Sequence, residues 1–179
     1  MPRETKTEGC NVFLSFFGSV SLRSVWRPAN RRKVEYGSLD QKMADMPLHF
    51  RILLADDHPS FRHMLRVFLE LNPNWEVCGE AADGLEAVIR TTELHPDIVL
   101  MDLNMPNLNG LEATRRIRSL SPSTRILILT FHELSSLQEI AENSGARGYV
   151  LKSEPFDVLT KAIEEVCTSE GVFVSPRSN

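Results

Sequence analysis

From Phe50 onward, short runs of β-branched or aliphatic residues alternate with longer segments in which apolar residues recur every three or four positions. This alternation is typical of a parallel sheet whose strands are connected by helices. We therefore predict an α/β fold that repeats a strand and a helix five times. The predicted strands are residues 51–55, 76–80, 98–101, 126–130 and 148–151, and the predicted helices are residues 59–71, 84–93, 110–119, 134–143 and 155–170.

The first, third and fourth predicted strands are continuous apolar runs, which a strand needs when helices cover both faces of its sheet. We expect these three strands to be central. Residues 1–46 show neither alternation nor a helical stripe, and we expect them to form a disordered tail, with Met43 and Met46 as alternative starts. The remaining chain is predicted to form one domain at residues 47–171, followed by a linker-like segment at residues 172–179.

Composition and charge exclude several classes of protein. The three cysteines, Cys10, Cys78 and Cys167, lack any CxxC spacing, so we expect no disulfide framework and no zinc site, and a cytoplasmic location. The apolar run at residues 12–20 is too short to cross a membrane. Residues 1–46 carry eight Lys or Arg and five Asp or Glu, which leaves 12 against 19 for residues 47–179. The predicted domain is therefore acidic.

Polar side chains follow the predicted strands at the points where the strands end. Asp56 and Asp57 follow the first strand, Asp102 the third, and Lys152 the fifth, while Thr130 closes the fourth. Because ligands of open α/β sheets bind at the carboxyl ends of the strands, we expect these five residues to form one site.

Three carboxylates at one site repel each other, and such a cluster implies a divalent cation. Oxygen ligands favour a hard ion, and we predict Mg²⁺, held by Asp56 and Asp57. His58 and His132 lie close in sequence, but an isolated histidine is more often a capping or surface residue than a ligand. We therefore assign neither histidine to the metal.

Charge suggests a role for each remaining residue. A carboxylate can attack phosphorus to form an acyl phosphate if the charge on the phosphoryl oxygens is neutralised. Asp102 is suited to this attack because it stands alone on a central strand. Lys152 would pair with the phosphoryl group, and the Thr130 hydroxyl would donate a hydrogen bond to it.

Four motifs together resemble the receiver domain of bacterial response regulators, over about residues 50–170. They are Ala55-Asp56-Asp57-His58, Met101-Asp102-Leu103-Asn104-Met105-Pro106, Leu129-Thr130 and Gly148-Tyr149-Val150-Leu151-Lys152. The resemblance implies a flavodoxin-like doubly wound fold with strand order 2-1-3-4-5. It also implies a phosphorelay in which Asp102 receives a phosphoryl group from a sensor histidine kinase or phosphotransfer protein.

The same resemblance implies further roles. Asp56, Asp57, Asp102 and the backbone carbonyl of Asn104 would serve Mg²⁺, and Lys152 would contact the phosphate. Thr130 and Tyr149 would be a switch pair that changes the surface of helix 4, strand 5 and helix 5, with a homodimer on phosphorylation. Asn104 and His132 occupy positions that tune the lifetime of the phosphoryl group in the family.

A narrower resemblance is to receivers that precede a LuxR-like helix-turn-helix domain, carried by Gly110-Leu111-Glu112-Ala113-Thr114 and Gly145-Ala146-Arg147-Gly148-Tyr149. Ser153 fits this subfamily, whereas many receivers have proline after the lysine. No helix-turn-helix pattern follows in this sequence. We therefore expect a regulatory protein that does not bind DNA specifically by this chain alone.

Two other function classes are weaker alternatives. A Mg²⁺-dependent phosphohydrolase that forms an aspartyl phosphate would need a second carboxylate two residues after its nucleophile, where this chain has Asn104. A flavodoxin-like cofactor binder would need a phosphate-binding loop after the first strand, where this chain has Asp56 and Asp57. We therefore expect a signalling domain rather than an enzyme.

Overall fold

The computed structural model describes residues 49–131, 136–169, 171 and 173–175. The predicted tail at residues 1–46 and the position of His132 lie outside these residues. The strands are β1 Phe50–Ala55, β2 Trp75–Ala81, β3 Ile98–Asp102, β4 Arg125–Thr130 and β5 Gly148–Leu151. The helices are α1 Pro59–Leu69, α2 Gly84–Leu94, α3 Gly110–Leu120, α4 Leu137–Ser144 and α5 Phe156–Thr168.

The five strands form one parallel sheet in the order β2-β1-β3-β4-β5. The predicted flavodoxin-like fold and its strand order are thus confirmed. Every residue of β3 is buried, and β1 and β4 are buried except for one residue each. The three continuous apolar runs are therefore the central strands, as helices on both faces of the sheet require.

Two apolar clusters form the core, one on each face of the sheet. Residues of α1 and α5, including Leu65 and Ile163, pack with β1, β3 and β4 on one face. Residues of α2 and α3, including Val88 and Ile117, pack on the other face. A smaller cluster joins Ile128 of β4 to α4 and β5. The strand ends are thus held between rigid layers.

Most element ends differ from the prediction by one to three residues, and local bonding explains the difference. Helix α1 ends at Leu69 instead of Leu71 because the Leu71 and Asn72 amides donate to carbonyls three residues earlier and form a tight turn. In the predicted linker-like segment, Val174 is buried and bridges to Gly148 at the edge of β5. Part of that segment therefore packs on the domain.

Candidate functional site

The carboxyl ends of β1, β3, β4 and β5 bring the predicted site residues together. Asp102 is the last residue of β3 and pairs with Leu129 of β4 in the sheet register. Lys152 follows β5, and its amide donates to the carbonyl of Thr130 at 2.8 Å. Asp56 follows β1, and its amide donates to Ala81 at the end of β2. The parallel register therefore places these side chains on one edge.

Lys152 lies between two buried carboxylates. Its Nζ is 2.6 Å from Asp56 Oδ2 and 3.0 Å from Asp102 Oδ1, and its side chain is 1% exposed. Burial raises the pKa of Asp102 above its usual value, although the Lys152 ammonium opposes this shift. The fold thus disfavours the ionised form of Asp102. Additional positive charge at the site would favour that form.

The acidic residues also form a group that fits a metal ion. Ligand atoms of Asp56, Asp57, His58 and Asp102 all lie within 4.8 Å of one another. Asp56 Oδ2 and Asp57 Oδ1 are buried and accept no hydrogen bond from the described residues, and each has one close ionic contact, with Lys152 Nζ and His58 Nδ1 respectively, at 2.6 Å. These oxygens keep lone pairs available, so the site fits a hard divalent cation.

His58 occupies the N-cap position of α1 but does not cap the helix. An N-cap side chain normally accepts a hydrogen bond from an amide of the first turn, and His58 makes none. Its Nδ1 instead lies 2.6 Å from Asp57 Oδ1 and 3.5 Å from Asp56 Oδ1, while the imidazole remains largely exposed. The histidine that sequence reasoning set aside thus faces the carboxylates.

Two arginines on α1 support the end of β1. Arg62 donates to the backbone carbonyl of Asp56 and, at 3.1 Å, to Glu80 of β2. Arg66 donates to Glu80 at 2.7 Å. Burial alone would raise the pKa of Glu80, but the hydrogen bonds from Arg66 and Arg62 outweigh it and lower that pKa. The sequence analysis missed this network, and the i,i+4 spacing of the two arginines was the available signal.

Two aromatic rings flank Lys152 and were also missed. Its Nζ lies 4.8 Å from the centre of the Phe61 ring and 5.1 Å from that of Phe131, within the range of cation–π contacts. Phe61 comes from α1, and Phe131 follows β4 directly. These rings orient the ammonium toward the carboxylates without offering it a competing anion.

The loop after Asp102 is held by its own backbone. The Leu103 amide donates to Asp102 Oδ1 at 2.9 Å, and the Gly110 amide donates to the Leu103 carbonyl at 3.0 Å. A Cβ at Gly110 would lie 2.0 Å from the Asp102 carbonyl oxygen, a distance at which the backbone must shift. Only glycine therefore allows α3 to begin this close to Asp102.

The remaining predicted residues lie near the site in different settings. Thr130 is completely buried at the end of β4. Tyr149 is half-buried in β5, and the centre of its ring lies 6.2 Å from that of Phe173. Asn104 is exposed in the loop after β3. The structure thus places Thr130 beside Lys152, whereas Tyr149 pairs with Ile128, two residues before Thr130 on β4.

A groove of about 960 Å³ lies at the opposite edge of the sheet, lined by Asp97, Arg118, Arg125 and Arg147 among others. It is remote from Asp102 and takes no part in the site.

Within the described residues, every helix is too short or too polar to span a lipid bilayer.

Residues 52–164 match the response regulator receiver domain family. The chain belongs to this family. This membership confirms the predicted resemblance and identifies the chain as a receiver domain of two-component systems. It also accounts for the carboxyl-edge position of the acidic cluster, since receiver domains bind Mg²⁺ at an acidic pocket.

Relatives of the chain include a transcriptional regulatory protein and a nitrate/nitrite response regulator protein. The chain is 35% identical over 127 residues to the transcriptional regulatory protein DegU of Brevibacillus brevis. The aligned region covers 71% of this chain and 53% of DegU. It is 38% identical over 122 residues to the nitrate/nitrite response regulator protein NarL of Escherichia coli strain K12, covering 68% and 56%. The chain thus spans little more than half the length of these relatives.

Solved structures of response regulators have a similar fold. A two-component response regulator of the LuxR family from Aurantimonas sp. SI85-9A1 has a TM-score of 0.64 at 44% identity, covering 66% of this chain and 85% of that one. The signal receiver domain of NarL from Mycobacterium tuberculosis has a TM-score of 0.65 at 31% identity, covering 69% and 100%. The predicted similarity to LuxR-type receivers is therefore confirmed.

Proposed function

We propose that this receiver domain accepts a phosphoryl group on Asp102 from a sensor histidine kinase or phosphotransfer protein. The observation that carries the proposal is the position of the buried Asp102 carboxylate, with Lys152 Nζ at 3.0 Å and two further carboxylates within 4.8 Å. In the transfer, the bond between phosphorus and the donor histidine nitrogen breaks as a bond to an Asp102 oxygen forms. The product is an acyl phosphate on the protein itself.

Asp56, Asp57 and Asp102 and the Asn104 backbone carbonyl would hold Mg²⁺. The ion supplies positive charge that offsets the mutual repulsion of the carboxylates and the charge of the phosphoryl oxygens. The available lone pairs of Asp56 and Asp57 support this assignment. Because the fold disfavours the charge of Asp102, a cation at the site also favours the carboxylate form that attacks phosphorus.

Lys152 and Thr130 would contact the phosphoryl group. The ammonium is already at the site and flanked by Phe61 and Phe131, so pairing with a phosphoryl oxygen costs little additional ordering. Thr130 is the neighbour of Lys152 across the sheet and would donate its hydroxyl. Together these two residues would neutralise and orient the oxygens during transfer.

Thr130 and Tyr149 would form the switch that reports phosphorylation to the surface. A phosphoryl group changes a distant surface only by favouring one of two arrangements of an element. Tyr149 packs with the cluster that joins α4 to β4, so a shift of Thr130 toward the phosphoryl group would alter the packing of the ring. The surface of α4, β5 and α5 would then favour a homodimer or another partner.

The signalling partners would be proteins. The kinase or phosphotransfer protein would dock beside α1 near Asp102, where Met64 and Val67 are exposed apolar residues. Specific DNA binding by this chain alone is disfavoured, because residues 47–179 carry 12 Lys or Arg against 19 Asp or Glu and DNA affinity depends on cationic contacts. We place the protein in the cytoplasm, where histidine kinases deliver phosphoryl groups to receivers.

Incubation with a small phosphodonor and Mg²⁺ tests the proposal by intact-mass measurement. We expect one added phosphoryl group, labile in base as an acyl phosphate is, and none in Asp102→Asn. Asp157→Asn is the matched control, because Asp157 is an exposed aspartate on α5. A phosphoryl group of equal lability on Asp102→Asn would show that the nucleophile is a different residue.

A further inference from the structure

His58 is the one nitrogen ligand in the described group of residues that fits a metal. We propose that its imidazole binds the cation directly, so that the site accepts Mn²⁺ and also borderline divalent ions such as Ni²⁺ with a mixed set of oxygen and nitrogen ligands. The inference rests on the proposed function, because it concerns the same metal site. It goes further by adding a ligand and by predicting which ions the site prefers.

Geometry is the first argument. An octahedral ion with bonds of about 2.1 Å holds neighbouring ligand atoms about 3 Å apart and opposite ones about 4.2 Å apart. His58 Nδ1 lies 2.6 Å from Asp57 Oδ1 and 3.5 Å from Asp56 Oδ1, on either side of the neighbouring-ligand distance. The whole group lies within 4.8 Å, so a small inward movement would bring all four side chains onto one ion.

Orientation is the second argument. His58 Nδ1 lies 2.6 Å from Asp57 Oδ1, and this buried oxygen accepts no hydrogen bond from the described residues. The His58 side chain also leaves the α1 amides uncapped. Ser, Thr, Asp and Asn are preferred over histidine at the N-cap position, because their side chains accept hydrogen bonds from those amides. A cation held jointly by the nitrogen and the oxygen would satisfy both atoms.

Chemistry gives the selectivity. Mg²⁺ prefers oxygen ligands and retains water, whereas Ni²⁺ gains strongly from imidazole, and Mn²⁺ accepts both. His58 would thus add little to Mg²⁺ binding and much to Ni²⁺ binding. Because the imidazole is largely exposed, it can join the ion or leave it without disturbing the core.

Pulsed EPR of Mn²⁺ bound to the full chain tests the assignment. We expect nitrogen modulation from a ligated imidazole in the wild type, and its loss in His58→Phe. His63→Phe is the matched control, because His63 is an exposed histidine on α1 and is not in the group. Persistence of the modulation in His58→Phe, or its absence from wild-type protein with bound Mn²⁺, would overturn the inference.

Calorimetric titration gives the second readout. We expect His58→Phe to weaken Ni²⁺ binding by about tenfold or more, since even residues outside the ligand set often contribute about 10- to 100-fold. Mg²⁺ binding should change by less than about twofold. Equal losses for the two ions would contradict the role of His58 as a nitrogen ligand. Mn²⁺ binding that survives in Asp57→Asn would instead place the ion elsewhere and contradict the proposed metal site as well.

Discussion

Replacing Asp102 with asparagine should stabilise the metal-free protein while abolishing phosphoryl acceptance. The amide retains the shape of the side chain and the oxygen that accepts from the Leu103 amide, but it removes a charge that burial disfavours. Lys152 keeps its closer partner, Asp56, at 2.6 Å. The perturbation therefore isolates the electrostatic cost of the third carboxylate.

The distances give the magnitude. With an effective dielectric constant of about 20, the contact of 3.0 Å between Lys152 and Asp102 contributes about 5.5 kcal/mol of attraction. Asp56 and Asp57 lie within 4.8 Å of Asp102, and each repels it by about 3.5 kcal/mol or more. After the Asp57 share is reduced for its exposure, repulsion and attraction are of similar size, so burial, the largest cause of the raised pKa, decides the sign. Asp102→Asn should therefore gain on the order of 1–2 kcal/mol, the usual desolvation penalty of a buried polar group.

Urea unfolding followed by circular dichroism in the presence of a chelator measures the effect. We expect the midpoint of Asp102→Asn to rise by about 0.5–1 M at neutral pH, and that of the control Asp157→Asn to stay unchanged. The pKa of Asp102 is raised in the folded state, so wild-type stability falls as pH rises from the unfolded pKa to the folded one. The difference in unfolding free energy between the variant and the wild type should therefore develop across that pH range, persist above it and be absent in stronger acid.

Mg²⁺ provides the decisive comparison. If Asp102 is a ligand of the proposed Mg²⁺ site, the wild type should gain more stability from the ion than the variant does, so the difference in unfolding free energy should shrink or reverse. A variant that is less stable than the wild type without metal would refute the reasoning, because it would show that attraction by Lys152 outweighs repulsion and burial.

Three further changes probe other parts of the site. Glu80→Gln should cost about 1 kcal/mol at pH 7, and because the folded-state pKa of Glu80 is lowered, urea titrations should show this difference vanish as pH falls through that pKa. Gly110→Ala should cost about 2–3 kcal/mol in urea unfolding and slow phosphorylation of Asp102, since its Cβ would lie 2.0 Å from the Asp102 carbonyl oxygen. Thr130→Ala should still be phosphorylated, but phosphorylation should change amide hydrogen exchange in α4, β5 and α5 less than it does in the wild type. An equal change in the two proteins would show that Thr130 is not part of the switch.

The sheet and its acidic edge could be predicted from the sequence because each depends on local patterns. Apolar runs mark the central strands, and the carboxyl end of a parallel strand fixes the edge on which Asp102 and Lys152 lie. Helix ends could be predicted less accurately, since α1 ends two residues early in a tight turn that side-chain periodicity does not encode.

The missed contacts are those between distant segments. Arg62 reaches Glu80 and the Asp56 carbonyl, and Phe131 reaches Lys152, only after the sheet has formed. His58 was predicted to be a capping or surface residue, and its imidazole is largely exposed and does not cap α1; its contact of 2.6 Å with Asp57 Oδ1 is one that the sequence does not indicate.

The electrostatics of the site suggest how a small chemical change has a large effect. Without metal or phosphoryl group, the fold holds Asp56, Asp57 and Asp102 close together at a cost in stability, offset in part by Lys152. In the proposed function, a cation would reduce that cost, and a phosphoryl group on Asp102 would give Lys152 a new anionic partner. That interaction energy would be available only in the arrangement that brings Thr130 to the phosphoryl oxygens. The free-energy difference between the two arrangements, rather than the total binding energy, would then shift the packing around Tyr149.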